Sequence, residues 1–265
     1  MTGPVDIAPW QLAVAASLLL LHGALSLWMR LDLEKKLLVA AVRSVVQLSV
    51  LGWVLVPVFD VDAPWLVLLM GAVMITLAAR EAVQRVSRRH PGMQLSATVA
   101  LFIGGGSTAL LASGVILDVD PWYKPQYLIP MLGMVLGNSL TGISLGLDRC
   151  LTDLDDNRGR VEAMLALGAT RWEAARPVAA DALRTGLVPI LNAMTAVGLV
   201  TIPGMMTGQI LGGTPPGLAA RYQILILFLI AFATALGTGL SVALALSSMF
   251  DDGHRLRSER LQRRD

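Results

Sequence analysis

The chain has 265 residues, of which 55% are hydrophobic and 15% charged, with a mean hydropathy of +0.65. A soluble domain carries nearly a quarter charged residues, so the deficit, with several apolar runs near 20 residues, excludes an ordinary soluble protein and predicts an integral membrane protein. The net charge of +2 gives no reason to expect a nucleic-acid partner, and the single cysteine, Cys150, excludes an internal disulfide and a cysteine-held metal.

Seven apolar segments follow in chain order: 9–29, 37–59, 64–79, 95–117, 127–147, 186–203 and 222–248. Backbone polar groups in hydrocarbon need internal partners, and strand alternation is absent, so the expected fold is all-α and polytopic, a single transmembrane domain over 1–265. The opening residues "MTGPVDIAP" lack the basic start of a secretory signal, so the first run is read as a mature span. Lys and Arg cluster in 30–36, 80–90, 149–185 and the tail from 249; only Arg43, Lys124 and Arg221 lie elsewhere. The intervening connections carry Asp60, Asp62, Asp118 and Asp120. Positive residues stay inside, which predicts an outer N-terminus and a cytoplasmic C-terminus. The basic tail is expected to lie at anionic headgroups or in solvent.

The spans hold no Asp or Glu, so a proton relay is not expected. Arg43 is the one clear charge at depth, with Gln47 a turn further on the same face; together they suggest a polar path, unless Arg43 snorkels to the inner surface. Sodium coupling through Asn, Ser, Thr and backbone carbonyls would suit a self-sufficient carrier or channel. The chain lacks its own phosphate-binding loop, because Lys35, Lys36 and Lys124 follow no glycine. ATP-driven transport would therefore need a separate subunit on the cytoplasmic face. A seven-helix receptor is a third reading, but no span holds the lysine that a retinal would need.

The largest internal loop, about 148–185, contains "VEAMLALGATRWEAARP" at 161–177. Glu162 to Leu167 favours helix, Gly168 suits a left-handed helix end, and Thr170 with Glu173 forms a capping box for a second helix. Pro177 should bend or end that helix. Two short helices at a fixed corner result, with Met164, Leu165, Leu167 and Trp172 supplying apolar surface. Such a corner can dock into a partner or lie on the membrane surface.

The fifth segment contains "GMVLGNSLTGISLG", in which Gly133/Gly137 and Gly142/Gly146 permit close helix contact, including contact between two copies. Its Asn138, Ser139 and Thr141, with Asn192 and Thr195 of the sixth segment, are expected to line a path. Pro189 and Pro203 interrupt that sixth segment. Beyond it, "IPGMMTGQILGGTPPG" is too rich in Gly and Pro for a continuous helix. Residues 202–213 are read as a kinked or re-entrant outer gate, with Met205, Met206 and Gln209 facing solute. Thioether sulfur suits soft ions, whereas Fe(II) prefers imidazole and carboxylate, so the residues themselves assign no metal site.

"EAMLALGAT" resembles the conserved cytoplasmic loop of ABC-transporter membrane subunits, with Glu162, Ala163 and Gly168 at the motif positions. The downstream Ile-x-Leu-Pro of that pattern is absent around Arg176 to Ala180. The segments "GNSLTGISLGLDR", "ALGAT", "LRTGLVPILNAMTAVGLVTIPGMMTGQILGG" and "RYQIL" resemble the Fet-type iron-export permease family, whose relatives include plant subunits tied to aluminium tolerance. The resemblance implies the membrane half of an ATP-driven exporter of iron or a similar metal in a bacterial inner membrane. It implies docking of a separate ATPase through Glu162, Ala163, Leu165, Leu167, Gly168, Ala169 and Thr170. ATP and Mg would be held by that partner, not by this non-catalytic chain. Two ATPase sites at a dimer interface imply two copies of the chain.

Overall fold

The computed structural model describes residues 6–251, 253 and 255–263. Among them, six helices are long and apolar enough to cross a membrane: α1 (Pro9–Trp28), α2 (Glu34–Val61), α3 (Pro64–Gln84), α4 (Met93–Ile116), α5 (Pro125–Asp156) and α9 (Pro216–Met249). Between α5 and α9 lie α6 (Arg158–Ala166), α7 (Arg171–Ala196) and α8 (Gly204–Leu211). The protein is an all-α polytopic membrane protein. The described strands are the two-residue pair β1 (Arg88–Arg89) and β2 (Gln262–Arg263). Four of the long helices begin with proline, at Pro9, Pro64, Pro125 and Pro216. A proline there costs no hydrogen bond and presets the helical φ.

The expected span 186–203 is not one apolar helix. It is the second half of α7 followed by irregular chain at 197–203, where Gly198 takes a φ of +80°. Arg176, Asp181 and Arg184 in the same helix dilute its hydropathy. The second helix of the corner is also longer than expected. Pro177 lies inside α7 without ending it; the carbonyl it frees belongs to Glu173, on the exposed outer part of the corner.

Helices α5, α7 and α9 cross where three glycines remove side-chain bulk. A Cβ on Gly142 would lie 2.5 Å from Thr234 Cγ2 and 3.0 Å from the Gly186 carbonyl. A Cβ on Gly186 would lie 2.6 Å from the Gly142 carbonyl, and one on Gly146 2.7 Å from Thr238 Cγ2. The Gly142/Gly146 pair is therefore consumed within one chain and is closed to a contact between copies. Gly137 meets nothing within 4 Å. The neighbours of Gly142 and Gly146 fix the directions: α9 runs with α5, and α7 runs against both. Helix α4 packs on α9, where a Cβ on Gly104 would lie 2.9 Å from the Ala233 carbonyl. Its Phe102–Gly106 and Ala112–Ile116 stretches are π-helical, an irregularity at "FIGGG" that the regular span expectation does not contain.

The basic connections converge at one end of the bundle. The Ser87 amide and hydroxyl donate to Asp148 at 2.7 and 2.6 Å. Arg88 pairs with Asp155 and Asp156, each at 2.9 Å. The tail is also tied to this end: β2 pairs with β1, and Arg260 donates to the Ser248 carbonyl at 3.1 Å. Arg264 of the tail lies outside the described residues. By contrast, α1 and α2 expose most of their apolar side chains.

Candidate functional site: a capped corner and a methionine-lined cavity

Helix α6 ends in a complete left-handed cap. Gly168 has a φ of +91°, its N–H donates to the Leu165 carbonyl at 3.0 Å, and Ala169 N–H donates to Met164 at 3.1 Å. Two residues later the capping box begins α7: the Thr170 N–H donates to the Glu173 carboxylate at 2.8 Å, and the Glu173 N–H donates to the Thr170 hydroxyl at 3.3 Å. These bonds from the Thr170 backbone and hydroxyl hold the Glu173 carboxyl below the usual carboxylate range. The corner between two caps has few soft torsions. Leu167 stands at its tip, 88% exposed, and Trp172 beside it is half exposed under the Arg171 guanidinium. Glu162, Ala163, Gly168 and Thr170 are exposed; Leu165 and Ala169 are partly covered. The expected docking residues thus share the corner, five of the seven exposed, as a ridge above buried Val161 and Ala174.

From this corner α7 runs unbroken to a cavity. A space of about 480 Å³ is lined by Asn138, Ile190, Ala193, Thr201, Met205 and Gln223, among others. A second, of about 600 Å³, is lined by Gln126, Tyr127, Met131, Gln209 and Tyr222, among others. Met134, Met205 and Ile226 line both, so the two are adjoining chambers. Gln209 lines one chamber and Gln223 the other, and each holds a buried amide oxygen without a hydrogen-bond partner. An orphaned buried acceptor is costly, so these two amides are the polar groups with most to gain from a rotation toward water or solute.

The expected path residues separate into three groups. Asn138, Met205 and Gln209 line the chambers. Arg43 and Gln47 lie in a different cleft, where Arg43 pairs with Glu81 at 2.7 Å. Ser139, Thr141, Asn192, Thr195 and Met206 line neither chamber. Ser139 is buried in the helix crossing; the Thr141 and Thr195 hydroxyls bond to the carbonyls of Gly137 and Leu191. Sequence reasoning missed Met131, Met134, Tyr127, Tyr222 and Gln223. The available signal for Gln223 was an amide near the start of a long apolar run. Among the described residues, no three His, Cys, Asp or Glu side chains come together to hold a metal. The chambers instead offer thioether, amide and phenol groups, which suit weak, passing contact.

Residues 9–250, which contain the corner, both chambers and all six long helices, match the "Uncharacterised protein family (UPF0014)". The chain belongs to the UPF0014 family. A UPF0014 membrane protein of Synechocystis is 39% identical over 88% of this chain and 90% of its own length. The Escherichia coli protein named "Probable iron export permease protein FetB" is 30% identical over 95% of each chain. The Arabidopsis thaliana protein named "Protein ALUMINUM SENSITIVE 3" is 32% identical over 93% of this chain and 89% of its own. No solved structure matches the chain.

Proposed function

We propose that this UPF0014 protein is the permease subunit of an ABC exporter in the bacterial inner membrane, moving iron or a similar metal outward. A separate ATPase, which holds ATP and Mg, docks on the ridge around Leu167. The observation that carries this reading is α7. One helix of 26 residues, about 39 Å long, starts at the docking ridge and ends on the chamber wall at Ile190 and Ala193. Motion imposed at the corner reaches the chamber without crossing a flexible joint. The similarity to the E. coli protein named an iron export permease favours a metal cargo.

The N-terminus lies outside and the basic end faces the cytoplasm, with α7 as a seventh crossing. The antiparallel course of α7 against α5 and α9 supports that topology. Two copies assemble with two ATPases, since hydrolysis in this machinery uses paired sites.

The test is reconstitution with the small ATPase. Metal-stimulated hydrolysis is expected across a metal series, and L167D is expected to abolish both co-purification and stimulation. Retention of the ATPase by L167D and by G168P would overturn the docking reading.

A further inference from the structure

The charged cleft between α2 and α3 belongs to neither the docking ridge nor the chambers. It measures about 760 Å³ and is walled by Arg43 and Gln47 from α2 and by Arg80, Glu81, Gln84 and Arg85 from α3, with Leu140 of α5 among its other lining residues. Positions 40, 43, 44 and 47 make one stripe on α2, and 77, 80, 81 and 84 make one on α3, with Arg85 at its C-cap. Two otherwise apolar helices therefore turn their polar stripes toward each other. Glu81 is engaged by Arg43 at 2.7 Å. Among the described residues no carboxylate pairs with Arg80 or Arg85. Three guanidiniums and one carboxylate leave the cleft with an excess of positive charge.

We propose that this cleft seats the phosphate of an anionic phospholipid. Paired guanidiniums match phosphate oxygens in geometry and charge. The Arg43–Glu81 pair keeps the one carboxylate from repelling the ligand. The level is right for a headgroup: Arg85 caps α3 at the basic end of the bundle, and Arg80 lies about a turn and a half deeper. The flanks are right for acyl chains. Val42 and Val46 on α2, and Val73 and Leu77 on α3, are exposed around the cleft. A soluble anion would use the arginines but not these apolar flanks. A basic pocket between membrane helices is a recurrent headgroup site.

The experiment is native mass spectrometry of the protein released from bilayers of equal phosphatidylglycerol and phosphatidylcholine. The unmodified chain is expected to retain phosphatidylglycerol preferentially. R80Q/R85Q is expected to lower that preference about thirtyfold, at about 1 kcal/mol for each of the two arginines lost. E81Q, which removes the negative charge and frees Arg43, is expected to raise it. R176Q/R184Q removes equal charge elsewhere in the molecule and should leave the preference intact. Equal loss in that control, or no preference in the unmodified chain, overturns the proposal. If inorganic phosphate without lipid gives a bound adduct with the same arginine dependence, the site serves a soluble anion and the lipid assignment falls.

Discussion

Gly142 and Gly137 look alike in the sequence, each the partner of another glycine four residues away, yet they meet opposite surroundings. G142A would drive a methyl into Thr234 Cγ2 at 2.5 Å and the Gly186 carbonyl at 3.0 Å. Overpacking of this kind costs about 1–3 kcal/mol. A lower melting temperature in detergent is expected for G142A, and none for G137A, which meets nothing within 4 Å. The methionine pair divides the same way. Met205 lines both chambers and Met206 neither. M205L should change metal efflux from loaded vesicles, whereas M206L should not; equal behaviour of the two would remove Met205 from the path. At the corner, T170A loses the cap hydroxyl of α7, at a cost of about 1 kcal/mol. Its expected signature is reduced coupling of hydrolysis to transport in protein that still assembles.

At the scale of elements, a histidine latches the end of α9 on which the tail is held through Arg260. His90 is buried beside Ser248, whose hydroxyl oxygen lies 3.1 Å from Nδ1. Burial, with a smaller contribution from Arg260, pushes its pKa below the ordinary imidazole value, against the carbonyl of Pro91. The folded state therefore favours neutral imidazole. The unfolded chain binds the proton more readily, so the latch contributes fully above about pH 6.5 and weakens as pH falls through and below that value. Tryptic cleavage at Arg255 to Arg260, taken relative to an unstructured peptide of the same sequence at each pH, is expected to be faster at pH 5.5 than at pH 7.5. H90F, which carries no titrating group, should flatten that difference. Helix α7 is the other element with a consequence: Pro177 and Pro189 sit within it, yet the corner and the chamber wall remain on one rod.

At the scale of the molecule, the proposed orientation is tested from the end where the basic connections meet. Cys150 is buried, so the native thiol should stay silent to an impermeant maleimide. L167C is expected to label only from the cytoplasmic side and D120C only from outside. Labelling of both from one side would overturn the proposed topology. The crossing of α5, α7 and α9 uses Gly142 and Gly146 internally, so the proposed two-copy assembly has to use another surface. The exposed apolar faces of α1 and α2 are large enough to supply it or to face lipid.

The apolar runs and the alternation of basic connections are one-dimensional properties, and they located the six long helices and, with the cap residues, the two-cap corner without reference to packing. Gly168, Thr170 and Glu173 act within ten residues of one another, so their caps were legible directly. The chambers were not. Met131 and Met134 join Met205 and Gln223 only because α5, α8 and α9 come together, and the rotation of each helix decides which face looks inward. Ser139 and Asn138 are neighbours in sequence, yet one is buried in the crossing and the other lines the chamber. Hydropathy identifies a span; close packing around Gly142, Gly146 and Gly186 decides which of its residues meet solute.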